Sequence, residues 1–138
     1  MDEDLHREII EEHARHPRNK RELPNADFTG EYRSEKTGNE SKVFLKLAED
    51  GSVAEASFTG QGSALSLASG SLLASHASGK SLAELANLLD QVERVVLKGA
   101  DEELPGELDV YRTVVRFPER YDCALLAWRA LGSALEQV

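Results

Sequence analysis

The sequence predicts an α+β fold in which a three-stranded antiparallel sheet packs against several helices. Three observations carry that expectation. A short amphipathic segment is followed by β-type runs, the second and third joined through Asp50-Gly51, a strong hairpin pattern. The stretch Gly60-Gln61-Gly62-Ser63 then reads as a strand-to-helix elbow opening a small-residue helix that ends near Gly79. Beyond it the apolar residues recur at helical spacing. A chain of 138 residues has room for one hydrophobic core, so a single domain over residues 1–138 is expected.

Residues 4–16 place Leu5, Ile9 and Ile10 on one face and Asp, Glu and Arg on the other, a short amphipathic helix that Pro17 ends. His16-Pro17-Arg18-Asn19-Lys20 and Leu23-Pro24-Asn25-Ala26-Asp27 are rich in turn formers and read as irregular connection. Strands are expected over 30–36, 42–47 and 52–59, the last with Val53, Ala56 and Phe58 inward and Glu55 outward. At the elbow, two glycines allow positive φ, and Ser63 is placed to cap the helix by accepting from amides one turn on. That helix carries Ser66, Ser69, Ser71, Ser75 and Ser78 with Ala64, Ala68, Ala74 and Ala77, so other backbone can approach it closely.

Gly79 is the expected C-cap. Ser81-Leu82-Ala83-Glu84 has the capping-box pattern of a helix over 82–89, and Val92, Val95, Val96 and Leu97 extend an apolar face as a further helix. The acidic residues 99–106, broken by Pro105-Gly106, read as a solvent loop, and 108–115 as a short segment apolar on one side. In the final helix Asp122 is the expected N-cap, and Leu125, Leu126, Trp128, Leu131 and Leu135 form the buried stripe.

The formal charge of −9, from 25 acidic and 16 basic residues, argues against a nucleic-acid partner and for a basic partner or none. No apolar run approaches the roughly 20 residues of a membrane helix. Met1-Asp2-Glu3-Asp4 is acidic where a secretory leader is basic and then apolar, so no membrane role and a cytoplasmic location are expected. One cysteine, Cys123, excludes an intramolecular disulfide framework and any site built from several thiolates of one chain.

Cys123 follows a helix start, whose dipole favours an anion, while Asp122 beside it opposes one; the plain alternative is a small buried hydrophobe. His13 and His16 stand three apart, but Pro17 frays that turn, and a solvated pair is the simpler reading. His76 reads as an exposed or helix-end histidine. Ser63 is no hydrolase nucleophile, because that elbow needs glycine two residues on either side and position 65 is leucine. The same glycines without a lysine are a weak phosphate motif, and a tight turn plus cap accounts for them.

Four landmarks together resemble the U-type iron–sulfur cluster scaffold family, which comprises IscU, SufU and the N-terminal domain of NifU. His13-Ala14-Arg15-His16-Pro17-Arg18-Asn19 is similar to the family's His-Tyr-x-x-Pro-Arg-Asn signature, with alanine at the tyrosine position. The run from Phe58 to Ser69 is similar to its Phe-x-Gly-x-Gly-Cys-x-x-Ser-x-Ala-Ser segment. Gly79-Lys80 matches the Gly-Lys that follows that helix, and Pro118-Glu119-Arg120-Tyr121-Asp122-Cys123 through Trp128 resembles the ending of the SufU branch. The acidic segment between residues 98 and 112 looks like that branch's insertion.

The resemblance implies a site of three cysteines and an aspartate that holds zinc or a nascent cluster. Carried over residue by residue, those ligands fall on Thr37, Asn39, Ser63 and Cys123, so only Cys123 keeps its chemistry. Hydroxyls are not deprotonated near neutral pH and an amide is neutral, whereas zinc and iron select thiolates. The expected cofactor is therefore none, although zinc or an iron–sulfur cluster belongs to the family, with Cys123 the one residue able to hold metal. The position before Cys123, histidine in IscU and basic in SufU, is Asp122 here. The resemblance implies a non-enzymatic partner or regulator in iron–sulfur cluster assembly that docks to a cysteine desulfurase or another assembly protein. Two alternatives stay open: a persulfide acceptor, or a homodimer sharing a metal, through Cys123; and an interaction module unrelated to sulfur.

Overall fold

A computed structural model of the chain describes residues 3–138. Helix α1 (Glu3–Arg15) precedes strands β1 (Phe28–Arg33), β2 (Glu40–Leu47) and β3 (Val53–Gln61). Helices α2 (Ala64–Ala77) and α3 (Leu82–Lys98) follow, then a 3₁₀ turn over Gly106–Val110, the short α4 (Tyr111–Val114), a second 3₁₀ turn over Pro118–Arg120, and α5 (Tyr121–Leu135). The expected α+β architecture is borne out, with an antiparallel sheet in the order β1-β2-β3.

The two-residue period of the strands puts Val43, Leu45, Ala56 and Phe58 on one buried face, with Val43 opposite Phe58 and Leu45 opposite Ala56. Helices α2 and α5 lie on that face because glycines admit them. A Cβ on Gly70 of α2 would stand 2.4 Å from the Phe58 ring, and one on Gly30 of β1 would stand 2.1 Å from the Ala130 carbonyl of α5. The small residues of α2 do what their size predicts: Ala68, Ser69, Ser71, Ala74 and Ala77 are fully enclosed. Trp128 is completely buried, donates its indole N–H to the Tyr111 hydroxyl at 2.8 Å and meets that ring edge-on. The outer edge of β3 is covered where the Phe58 amide donates to Asn19 O, beside a bridge at Lys20.

Several expectations need correction. The residues read as two helices over 82–97 form one helix, because Leu85, Leu88, Leu89, Val92, Val95 and Val96 keep an unbroken buried stripe until Gly99 closes it in the left-handed conformation. Strand β1 starts two residues and ends three residues earlier than expected, and residues 34–39 form a turn. Gly79 is not the C-cap of α2; Ser78 is, and Gly79 at φ +85° donates its N–H to Val53 O, pairing the helix connection with β3. Among the glycines with positive φ, Gly60 and Gly62 are absent: the elbow needs them for close approach, since a Cβ on Gly60 would stand 2.5 Å from Glu40 O. Asp122 does not cap α5, because the preceding 3₁₀ turn runs straight in and Arg120 occupies the cap position. The acidic loop is also less free than expected: Leu104 is buried, and the Arg94 fork holds Glu102 at 2.9 and 3.1 Å.

Helix α1 turns histidine inward where leucine was expected. Leu5 is 43% exposed, while His6 and His13 are buried at 3% and 1%. The reason is the polar surface beneath: His6 Nδ1 meets Thr113 Oγ1, and His13 meets Ser71 and Glu107. His16 alone keeps the solvated character read for the pair.

Candidate functional site

The four residues at the family's ligand positions gather at one end of the molecule, on the β1–β2 turn, the elbow after β3 and the start of α5. Cys123 is half-buried and borders two clefts. One, of about 640 Å³, runs between α1 and residues 113–120 and also takes in Ser63, with Ile10, Leu65 and Phe117 as its apolar lining. The other, of about 630 Å³, takes in Thr37, Tyr32, Asp122 and Arg129. Asn39 reaches the elbow directly, since a Cβ on Gly62 would stand 3.3 Å from its side-chain carbon.

The hydroxyls here already have local work. Ser63 has the extended backbone of an N-cap and accepts from Ser66 N at 3.2 Å, as the sequence predicted. The Thr37 hydroxyl accepts from Asn39 N at 3.1 Å and so braces the turn. Buried Ser34 organises the same turn: its N–H donates to Asn39 O, its carbonyl accepts from Gly38 N, and its Oγ accepts from Thr37 N. Ser34 Oγ–H in turn donates to Asp122, whose other carboxylate oxygen takes Arg129 Nη1 at 3.0 Å. The Arg129 guanidinium lies 5.4 Å from the centre of the Tyr32 ring.

This donor set does not fit zinc or an iron–sulfur cluster. It offers one thiol, two hydroxyls held as acceptors by backbone amides and one neutral amide, where such metals are held by several anionic or imidazole ligands. Among the described residues, no group of three or more histidine, cysteine, aspartate or glutamate side chains is placed to hold a metal ion.

A second polar cluster escaped the sequence reading. His13 Nδ1 lies 2.7 Å from Ser71 Oγ, and His13 Nε2 lies 3.0 Å from Glu107 Oε1. Ser71 Oγ also accepts from Arg18 N at 2.8 Å, so its own proton is free for Nδ1, which leaves Nε2–H for the Glu107 carboxylate. The trio has the residue types of a hydrolase triad, yet Ser71 is wholly buried and no substrate can reach it. It is a structural fastening between α1, α2 and the 3₁₀ turn. The helical spacing of His6, Ile9, Ile10 and His13 marks this inner stripe in hindsight.

The comparisons with known proteins agree with the landmarks. Residues 5–137 match the family model described as NifU-like N terminal domain. The chain is 32% identical over 139 residues to the zinc-dependent sulfurtransferase SufU of Bacillus subtilis, covering 96% of this chain and 92% of that protein. It is 28% identical over 135 residues to the iron–sulfur cluster assembly scaffold protein IscU of Thermotoga maritima, covering 97% and 94%. The crystal structure of the N-terminal part of a NifU-like protein from Brucella abortus superposes with a TM-score of 0.84 at 23% identity, over 98% of this chain and 94% of that one, and supports the fold.

Proposed function

The chain belongs to the family of NifU-like N-terminal domains, and on that premise we propose that it serves iron–sulfur cluster assembly in the cytoplasm as a non-catalytic partner or regulator. In this reading it docks to a cysteine desulfurase or another assembly protein and carries no metal of its own. One observation carries the proposal: Thr37 and Ser63, at two ligand positions, spend their oxygens on backbone amides, and Asn39 replaces a carboxylate. The framework is kept while the ligand chemistry is gone, which leaves recognition as the retained property. The net charge of −9 is compatible with a basic enzyme surface.

The test is binding to, and modulation of, a desulfurase from the same genome, with metal content measured by plasma mass spectrometry on untagged protein purified without chelator. Expected are metal-free protein and a saturable complex that changes the desulfurase rate. Near-stoichiometric zinc or iron that vanishes in Cys123→Ser overturns the metal-free role. Absence of any complex overturns the assembly role and leaves an interaction module unrelated to sulfur.

A second reading is favoured by the position of Cys123 on the walls of both clefts. Here the Cys123 thiolate attacks the terminal sulfur of a desulfurase persulfide, the enzyme's S–S bond breaks, and the enzyme cysteine leaves as thiolate. Mass spectrometry of the treated protein decides this: one added sulfur atom on Cys123 supports it, and an unmodified cysteine refutes it.

A further inference from the structure

We propose that Ser34, Asp122 and Arg129 form a metal-free clasp that fixes the β1–β2 turn to the start of α5, in place of the cross-link that a shared metal would supply there. The inference rests on the reading that the chain binds no metal. Thr37 and Asn39 stand on the turn and Cys123 on the helix, so an ion bound by these positions would tie the two elements together. The clasp joins the same elements through residues 88 positions apart in sequence.

Its geometry fits a fastening rather than a surface ornament. Ser34 is 1% exposed and holds the turn from inside through its amide, carbonyl and hydroxyl. The Asp122 side chain is only 15% exposed, and a carboxylate so placed is costly unless paired; Ser34 and Arg129 supply one partner to each oxygen. Arg129 sits two turns further along α5 and rests on Tyr32 of β1, so the pair spans helix and sheet. Asp122 and Arg129 are positioning residues, since they act on the site through the turn. The candidate docking end is thereby ordered whether or not zinc is present.

Amide hydrogen exchange of Thr37, Gly38 and Asn39 reads the clasp without any partner. In the wild-type protein these amides are expected to exchange at the same rate in excess zinc and in chelator. Asp122→Asn is expected to speed all three about tenfold, the change equivalent to one hydrogen bond of about 1.4 kcal/mol, and Ser34→Ala to do the same at Gly38 and Asn39, Thr37 being left out there because Ser34 Oγ is its own acceptor. Arg129→Gln, which leaves the Ser34 contact in place, should give a smaller acceleration, and the emission of buried Trp128 should stay native in all three. Faster exchange of the wild-type turn in chelator overturns the proposal, because metal would then be the fastening. Unchanged exchange in both Ser34→Ala and Asp122→Asn overturns it too, because the turn would hold alone. If one of these variants loses the native Trp128 emission, Arg129→Gln decides: acceleration supports the clasp and an unchanged rate refutes it. None of these readouts involves a desulfurase, so failure of the clasp and failure of docking are separable.

Discussion

The molecule contains two polar clusters built in opposite ways. Around His13 the imidazole and Ser71 are enclosed and Glu107 reaches them from the surface, each has a partner, and three separate elements contribute. At the ligand positions around Cys123, Thr37, Asn39 and Ser63 are small and exposed or half-buried, and the Thr37 and Ser63 hydroxyls are satisfied within their own turn or cap. Burial makes the first cluster obligatory, since an orphaned polar group there costs stability. Exposure makes the second replaceable, because a hydroxyl that caps a helix asks nothing of distant residues. Side chains at the open end can therefore lose metal-binding chemistry without loss of the fold.

The largest test of this contrast is to rebuild the open site. Thr37→Cys/Asn39→Asp/Ser63→Cys should take up about one zinc per chain, with binding on the order of 10 kcal/mol and a rise in thermal stability that grows with free zinc, about 3 kcal/mol at a hundredfold excess over Kd. A chain that stays metal-free after the substitutions would show that the framework has drifted along with its ligands. Next in size, His13→Ala should lower stability by about 2–4 kcal/mol in urea unfolding, whereas exposed His16→Ala should stay within about 0.5 kcal/mol. Equal effects would show that burial does not make the His13 fastening obligatory.

Alkaline pH probes the enclosed region a second way. Burial pushes the Tyr111 phenol up to about 12, above its ordinary value of 10.0. The neutral form is the one the fold favours, so this stabilisation is whole below pH 10 and is lost as pH rises through 12. The expected loss is about 2–3 kcal/mol, followed by unfolding at fixed urea. Tyr111→Phe should flatten that slope while costing about 1 kcal/mol at neutral pH, because the Trp128 indole loses its acceptor. At the open end, Ser63→Ala should cost about 1 kcal/mol through the lost cap.

Most of the architecture was readable because it rests on local rules. Alternation gave the strands, Asp50-Gly51 the hairpin, and Ser63 and Ser81 the helix starts, the last with both halves of its capping box formed. The break placed near Leu89 was an error of counting: the stripe never loses its period, and Gly99 is the first true stop. The positions of Thr37, Asn39, Ser63 and Cys123 came from the family resemblance, and the fold gathers them at one end. What joins the turn to α5 was unreadable, since Ser34 and Asp122 are far apart in sequence and Asp122 looked like a cap. The inward histidines were missed because their partners arrive from α2 and from residues 107–113. Periodicity identifies a face, not what that face will meet.

Helix α5 also equips the protein with two natural reporters. The chain has one tryptophan and one cysteine, and both lie on this helix, five residues apart. Trp128 is sealed in the core, so its fluorescence follows unfolding. Cys123 is half-exposed between the clefts, so a thiol-reactive dye attaches at a single point without engineering. Emission from the dye would register a docking partner while emission from the indole certifies that the fold is intact, two channels without a single substitution.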